Sequence, residues 1–152
     1  MKIGDSLNLK NESDIYQATL SVGDVYLSKF EEIDHPKFFI IAGLSQDKVF
    51  ICSVYINSNI PKSFFTERKQ SLLNLQVPIK GNKYKFLDYD SFVSCDSQLK
   101  LNFSDIYKRI KDKNCKYVGS LDAEDLSNVR NTLISSGLLS NKELKLYFED
   151  FM

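Results

Sequence analysis

The sequence predicts an α+β domain in which a small, curled antiparallel sheet is covered by helices from the C-terminal part of the chain. Short runs of alternating or wholly apolar residues, separated by brief polar connections, fill residues 24 to 101. Helical spacing with capping residues appears chiefly after that stretch, and strands first with helices last is the pattern of α+β folds. Size is the third observation: 152 residues, 43% apolar and including 11 Phe and 8 Tyr, suit one hydrophobic core, so residues 1 to 152 read as a single domain.

Three strands are expected in close succession, at 24 to 30, 37 to 44 and 48 to 58. In the first, Val25 and Leu27 alternate with Tyr26 and Ser28; the second, Phe38-Phe39-Ile40-Ile41-Ala42, is apolar on both faces and reads as a buried central strand. In the third, Phe50, Cys52, Val54 and Ile56 share the face expected to be core. Gln46-Asp47-Lys48 is short and polar enough for a hairpin connection. The run Leu73, Leu75, Val77, Ile79 contains Pro78, which cannot donate to a central ladder, and is therefore expected as an edge strand or a strand end. Gly81-Asn82-Lys83 reads as a turn, and two further extended segments, Phe86 to Val93 and Cys95 to Leu101, are expected to join tightly around Ser94.

Ser104 is the expected cap of a short helix carrying Ile106, Tyr107 and Ile110. Residues 116 to 120 can return as a short strand. Asp122 then caps a helix with Glu124 and Asp125 in its positive first turn and Leu126, Val129 and Leu133 on one face, ending at Gly137. Ser140 and Glu143 form a capping box before Leu144, Leu146, Tyr147, Phe148 and Phe151. Residues 1 to 22 carry one weak helical signal, Ser13 to Ala18, and are expected as an N-terminal extension packed on the sheet. No repeat, low-complexity segment or linker divides the chain.

Composition excludes several classes. Twenty basic residues balance twenty acidic ones, with 8 and 9 through Gln76 and 12 and 11 after it, so neither half is a polyanion-binding tail. No apolar run approaches the ~18 residues of a membrane span. Cys52, Cys95 and Cys115 are odd in number and lack metal-ligand spacing, which points to free thiols in a reducing compartment. Met1 to Asp5 lacks the apolar stretch of a signal peptide, and the expected location is cytoplasmic. With His35 as the one histidine, no metal site and no cofactor are expected.

Four polar clusters are candidate sites. Asp34-His35-Pro36-Lys37 opens an apolar strand, and Pro36 holds His35 extended, giving its imidazole a fixed exit vector; the alternative is a solvated turn histidine beside a solubilising lysine. Asn57-Ser58-Asn59 ends a strand, where such residues bind phosphate or simply form a turn. Lys80, Lys83 and Lys85 interleaved with Tyr84 and Phe86 make a strip suited to nucleic acid, or a plain exposed hairpin. Lys108, Arg109, Lys111, Lys113 and Lys116 form the densest positive stretch, diluted by Asp105 and Asp112, as a solvated helix face would be.

Several pieces, taken in order over residues 23 to 137, resemble the MazF/PemK family of toxin endoribonucleases. Gly23-Asp24-Val25-Tyr26-Leu27 resembles that family's first strand. His35-Pro36-Lys37-Phe38-Phe39 stands where the family has arginine and proline before an apolar strand, and Ile56-Asn57-Ser58-Asn59-Ile60 is similar to its strand end. Tyr89 to Asp96, and Tyr117-Val118-Gly119-Ser120-Leu121 leading to Glu124-Asp125-Leu126, resemble the family's later motifs. The departures are His35 in place of the arginine, Asn57 in place of a threonine, Ser91 and Ser94 in place of a glutamine and an arginine, and a first loop reduced to Glu31-Glu32-Ile33-Asp34.

The resemblance implies a small SH3-like barrel of the type shared with CcdB, followed by C-terminal helices, the last within 138 to 152. It implies a metal-independent endoribonuclease acting on single-stranded RNA. His35 would be acid or base, Lys37 would stabilise phosphate charge, and Asn57 with Ser58 would orient the phosphate. Lys80, Lys83, Tyr84 and Lys85 are the candidate nucleic-acid-binding residues. An antitoxin protein and a homodimer, paired at the sheet edge or through the surface including Leu73 to Ile79, are the implied partners. The competing expectation is a barrel without catalysis that binds protein or nucleic acid.

Overall fold

The computed structural model describes residues 12–60, 62–66 and 69–151; residues 1–11 of the expected extension lie outside them. Residues 12–19 form a helix, α1. A meander follows: β1 (Asp24–Ser28), β2 (Lys37–Leu44) and β3 (Phe50–Asn57). After a 3₁₀ turn at Lys62–Phe65 come the one-turn α2 (Gln70–Leu73), β4 (Gln76–Ile79), a second 3₁₀ turn at Gly81–Lys83, and β5 (Ser91–Asn102). The chain closes with α3 (Phe103–Lys111), β6 (Cys115–Ser120), α4 (Ala123–Ser135) and α5 (Asn141–Phe148).

All described strand pairs are antiparallel, in the order β4-β5-β3-β2-β1-β6. The α+β class holds, and β4 with Pro78 lies at an edge. The sheet is open, because no ladder joins β4 to β6 among the described residues. It is buried on both sides. Val25, Ile40, Ala42, Cys52, Val54 and Ile56 face a core completed by Val129, Leu133, Tyr147 and Phe148 of α4 and α5. Tyr26, Phe39, Ile41 and Ile51 face a second core with Leu20 and with Phe103 and Ile106 of α3. β3 therefore has no solvent face over Ile51 to Val54, unlike the one-sided core expected from its alternation. Gly43 permits this layering on β2, since a Cβ there would meet the Cβ and carbonyl of Tyr147 at 2.8 Å.

Three expected elements differ. The run Leu73 to Ile79 is strand only from Gln76, because Gln70–Leu73 form α2. Phe86 to Leu101 is a loop through Asp90 and then one twelve-residue strand, in place of two strands joined at Ser94. The joint survives as a register slip: Ile56 faces Val93 while Val54 faces Gln98, so residues 94–97 bulge from β5. The α3 cap is Asn102 rather than Ser104. The chain is still extended at Asn102, and its carboxamide oxygen accepts from Asp105 N–H while Asp105 accepts from Asn102 N–H, a capping box that starts two residues before Ser104. The Asp122 cap and the Ser140–Glu143 box form as expected, and Gly137, at φ 75°, takes the left-handed position after α4. Among the described residues no helix is long and apolar enough to cross a membrane.

Candidate functional site

The antiparallel β2–β3 pair sets Phe38 opposite Ile56, so the start of β2 lies beside the end of β3. His35, Lys37, Asn57 and Ser58 consequently line one groove of about 470 Å³. Its far wall is the 84–90 loop, contributing Phe86, Leu87, Asp88 and Tyr89. Gly81 fixes that wall: a Cβ there would stand 2.3 Å from the Tyr89 carbonyl carbon, and Gly81 N–H donates to Asp90 Oδ1 at 3.0 Å. Tyr89 is left 65% exposed over the groove. Reading 86 to 93 as a strand hides this tyrosine, whereas the run of Asp and Tyr after Leu87 is a loop signal that can be recognised in the sequence.

The four groove residues differ in environment. His35 is two-thirds exposed, and its Nδ1 lies 2.8 Å from Asp34 Oδ1, whose carboxyl that hydrogen bond holds below its usual range. The contact turns Nε2 into the free ring nitrogen. Lys37 is partly buried, with its ammonium 5.1 Å from the Tyr55 ring centre, and desolvation lowers its pKa. Its Nζ donates to Asn57 Oδ1. The Asn57 amide donates to Ser94 Oγ, which donates to Gln76 Oε1 at 3.1 Å, and Gln76 Nε2 donates to Asp96 Oδ1 at 2.6 Å. This chain crosses β3, β5 and β4. Ser94 and Gln76 are buried, so every donor and acceptor in it needs its neighbour. Ser58 makes no such link and stays at the exposed strand end.

The Lys80–Lys85 strip does not join the groove. Lys83 Nζ pairs with Asp122 Oδ2 at 2.6 Å and Asp125 Oδ2 at 3.1 Å. Tyr84 hydroxyl donates to Asp125 Oδ2 at 2.6 Å and accepts from Asp122 N–H at 3.0 Å. Both residues bind the N-terminus of α4, while Lys80 and Lys85 are exposed on the turn. The other lysine-rich stretch, 108 to 116, is also committed in part, as Arg109 donates to Lys29 O at 2.7 Å and lies over the Phe30 ring. The three cysteines are free and buried, and burial pushes Cys52 and Cys95 up to about 12, so none is a ready nucleophile. Among the described residues no group of three His, Cys, Asp or Glu is placed to hold a metal ion.

An open, two-sided antiparallel sheet with one polar groove at the β2–β3 end is the class these observations define. The chain matches no protein-family model and no curated protein sequence.

Proposed function

We propose that the groove binds a phosphodiester of single-stranded RNA and cleaves it without a metal ion, as a divergent MazF/PemK-like endoribonuclease whose sheet is an opened form of an SH3-like barrel. The observation that carries this reading is the convergence of His35, Lys37, Asn57 and Ser58 on one groove. His35, oriented by Asp34, presents Nε2 to take the proton of a ribose 2′-hydroxyl. The 2′-oxygen then attacks the adjacent phosphorus, and the bond to the 5′-oxygen breaks as that oxygen takes a proton from solvent water in the open groove, leaving a 2′,3′-cyclic phosphate and a 5′-hydroxyl. Lys37 offers its ammonium to the non-bridging oxygens, and the side chains of Asn57 and Ser58 orient them. Tyr89 presents a ring face for a flanking base. On the same reading, a second copy pairs along the β4 edge and an antitoxin protein covers the groove.

The test is incubation of the purified protein with end-labelled single-stranded RNA in the presence of a chelator. Cleavage leaving cyclic phosphate ends is expected, and His35→Ala should slow it by about 10² to 10⁴-fold while RNA binding persists. Lys37→Ala should weaken binding with a salt slope shallower by about one. Cleavage that is absent, or as fast without His35, overturns the catalytic reading. Binding without cleavage is then the reading that remains.

A further inference from the structure

We infer that a second cavity, on the opposite side of the sheet from α4 and α5, is a binding site for a small organic cation with an alkylated ammonium head. The cavity, of about 460 Å³, lies where β1 and β6 meet α1 and α3 and is lined by Tyr16, Asp24, Tyr26 and Tyr117. Asp24 and Tyr26 are two apart on β1 and so share a face; their β6 partners are Ser120 and Tyr117. The Tyr26 and Tyr117 rings stand 5.8 Å apart at 73°, forming two walls of a corner. Tyr26 is backed by Phe39, stacked at 5.6 Å, and cannot retreat.

Two features single out this corner. Tyr117 is a large aromatic left 56% exposed, yet it is tied down: its hydroxyl lies 2.8 Å from Ser120 Oγ, which donates to Asp24 Oδ1 at 3.2 Å. Asp24 is itself buried, accepts from Ser21 N–H at 2.9 Å through Oδ2, and has no ion-pair partner among the described residues. Burial raises its pKa, the mark of a carboxylate short of solvation, with Lys48 offering only a distant compensating charge. A cation seated in the corner against the exposed Tyr117 ring would meet its negative face and approach this carboxylate, the pairing of aromatic face and anion by which quaternary ammonium groups are held. A bare ammonium or a metal ion is less well matched, because tyrosine rings replace little of its hydration.

The site is separate from the β2–β3 groove, and its test does not depend on nuclease activity. Choline, titrated into the full chain and followed by the NMR signals of the tyrosine rings, should bind saturably at about millimolar Kd. Its neutral carbon isostere, 3,3-dimethylbutan-1-ol, should bind about tenfold more weakly, since it fills the same volume without the charge. Tyr117→Leu, at a half-exposed position that leaves the cores intact, should weaken choline by about tenfold, and Asp24→Asn should act in the same direction where it folds. Equal affinity for the isostere would show an apolar hollow and overturn the proposal, as would absence of saturation or unchanged choline binding in Tyr117→Leu.

Discussion

Lys37 and Lys83 belong to clusters that look alike in the sequence, each a lysine set among polar and aromatic neighbours, but the fold uses them oppositely. Lys37 stands over Tyr55 at the mouth of a groove, with an amide as its partner and its pKa lowered by desolvation. Lys83 bridges two carboxylates at the start of α4, and those hydrogen bonds raise its pKa. What separates them is the neighbour supplied from far along the chain. Asp122 and Asp125 are about forty residues from Lys83, whereas the chain that holds Asn57 beside Lys37 ends on Asp96 without placing a carboxylate on the lysine. A cation paired with carboxylates is a structural fastening; one paired with an amide keeps charge to offer a ligand.

The largest effect expected from this contrast is on stability. Tyr84→Phe removes the donor to the buried Asp125 carboxylate and the acceptor of Asp122 N–H, and should cost about 1 to 3 kcal/mol in urea unfolding. His35→Ala, at an exposed turn, should change stability by no more than about 0.5 kcal/mol. A reversed ranking would mean that the strip, not the groove, is the free surface.

Next in size is Ser94→Ala, which removes the link between Asn57 and Gln76 inside the sheet. A cost of about 1 kcal/mol is expected, measured in the same way, because the Asn57 amide and the Gln76 carbonyl lose their shared partner. No change would show that water replaces the hydroxyl and that the chain from Lys37 to Asp96 is not a single unit.

The groove was legible in the sequence because it depends on local facts: a polar end on each of two adjacent strands, joined by a hairpin short enough to force them side by side. The α4 and α5 caps were legible for the same reason, each lying within four residues of what it caps. Gln76, Ser94 and Asp96 could not be tied to Lys37 in advance, since their link requires the β4-β5-β3 order, which alternation does not specify. Likewise Tyr84 and Lys83 read as a binding strip until α4 is brought back across them. The two-sided burial of β3 was hidden because Ser53 and Tyr55 made one face look polar, although Ser53 lies fully buried between the layers.

A smaller effect should appear in reactivity. Only the neutral amine is acylated, so at mildly alkaline pH Lys37 should react faster than Lys83 with a limiting amount of an amine-acylating reagent, as read by peptide mass spectrometry. Burial slows access to Lys37, but Lys83 is held both charged and doubly hydrogen-bonded. Faster labelling of Lys83 would contradict the opposed environments of the two ammonium groups.

The smallest effect is the acid dependence of the Lys83 fastening. The Asp122 carboxyl is held below its usual pKa first by the hydrogen bond from Lys83 and then by that from Asp125 N–H. Because the folded-state pKa is the lower one, the unfolded chain takes up the proton first as pH falls, and folding loses stability in that window. The contribution is complete above the ordinary carboxylate range, declines through it, and is gone once the folded carboxyl is protonated. Lys83→Met should therefore be less stable than the wild type near neutral pH, by a small amount because the pair is exposed, and should converge with it once the pH falls below the folded carboxyl's lowered pKa. Urea midpoints for both proteins across that range provide the measurement. If the gap between them is as wide in acid as at neutrality, Lys83 supports α4 through the packing of its aliphatic stem, and the contrast with Lys37 is one of shape rather than of charge.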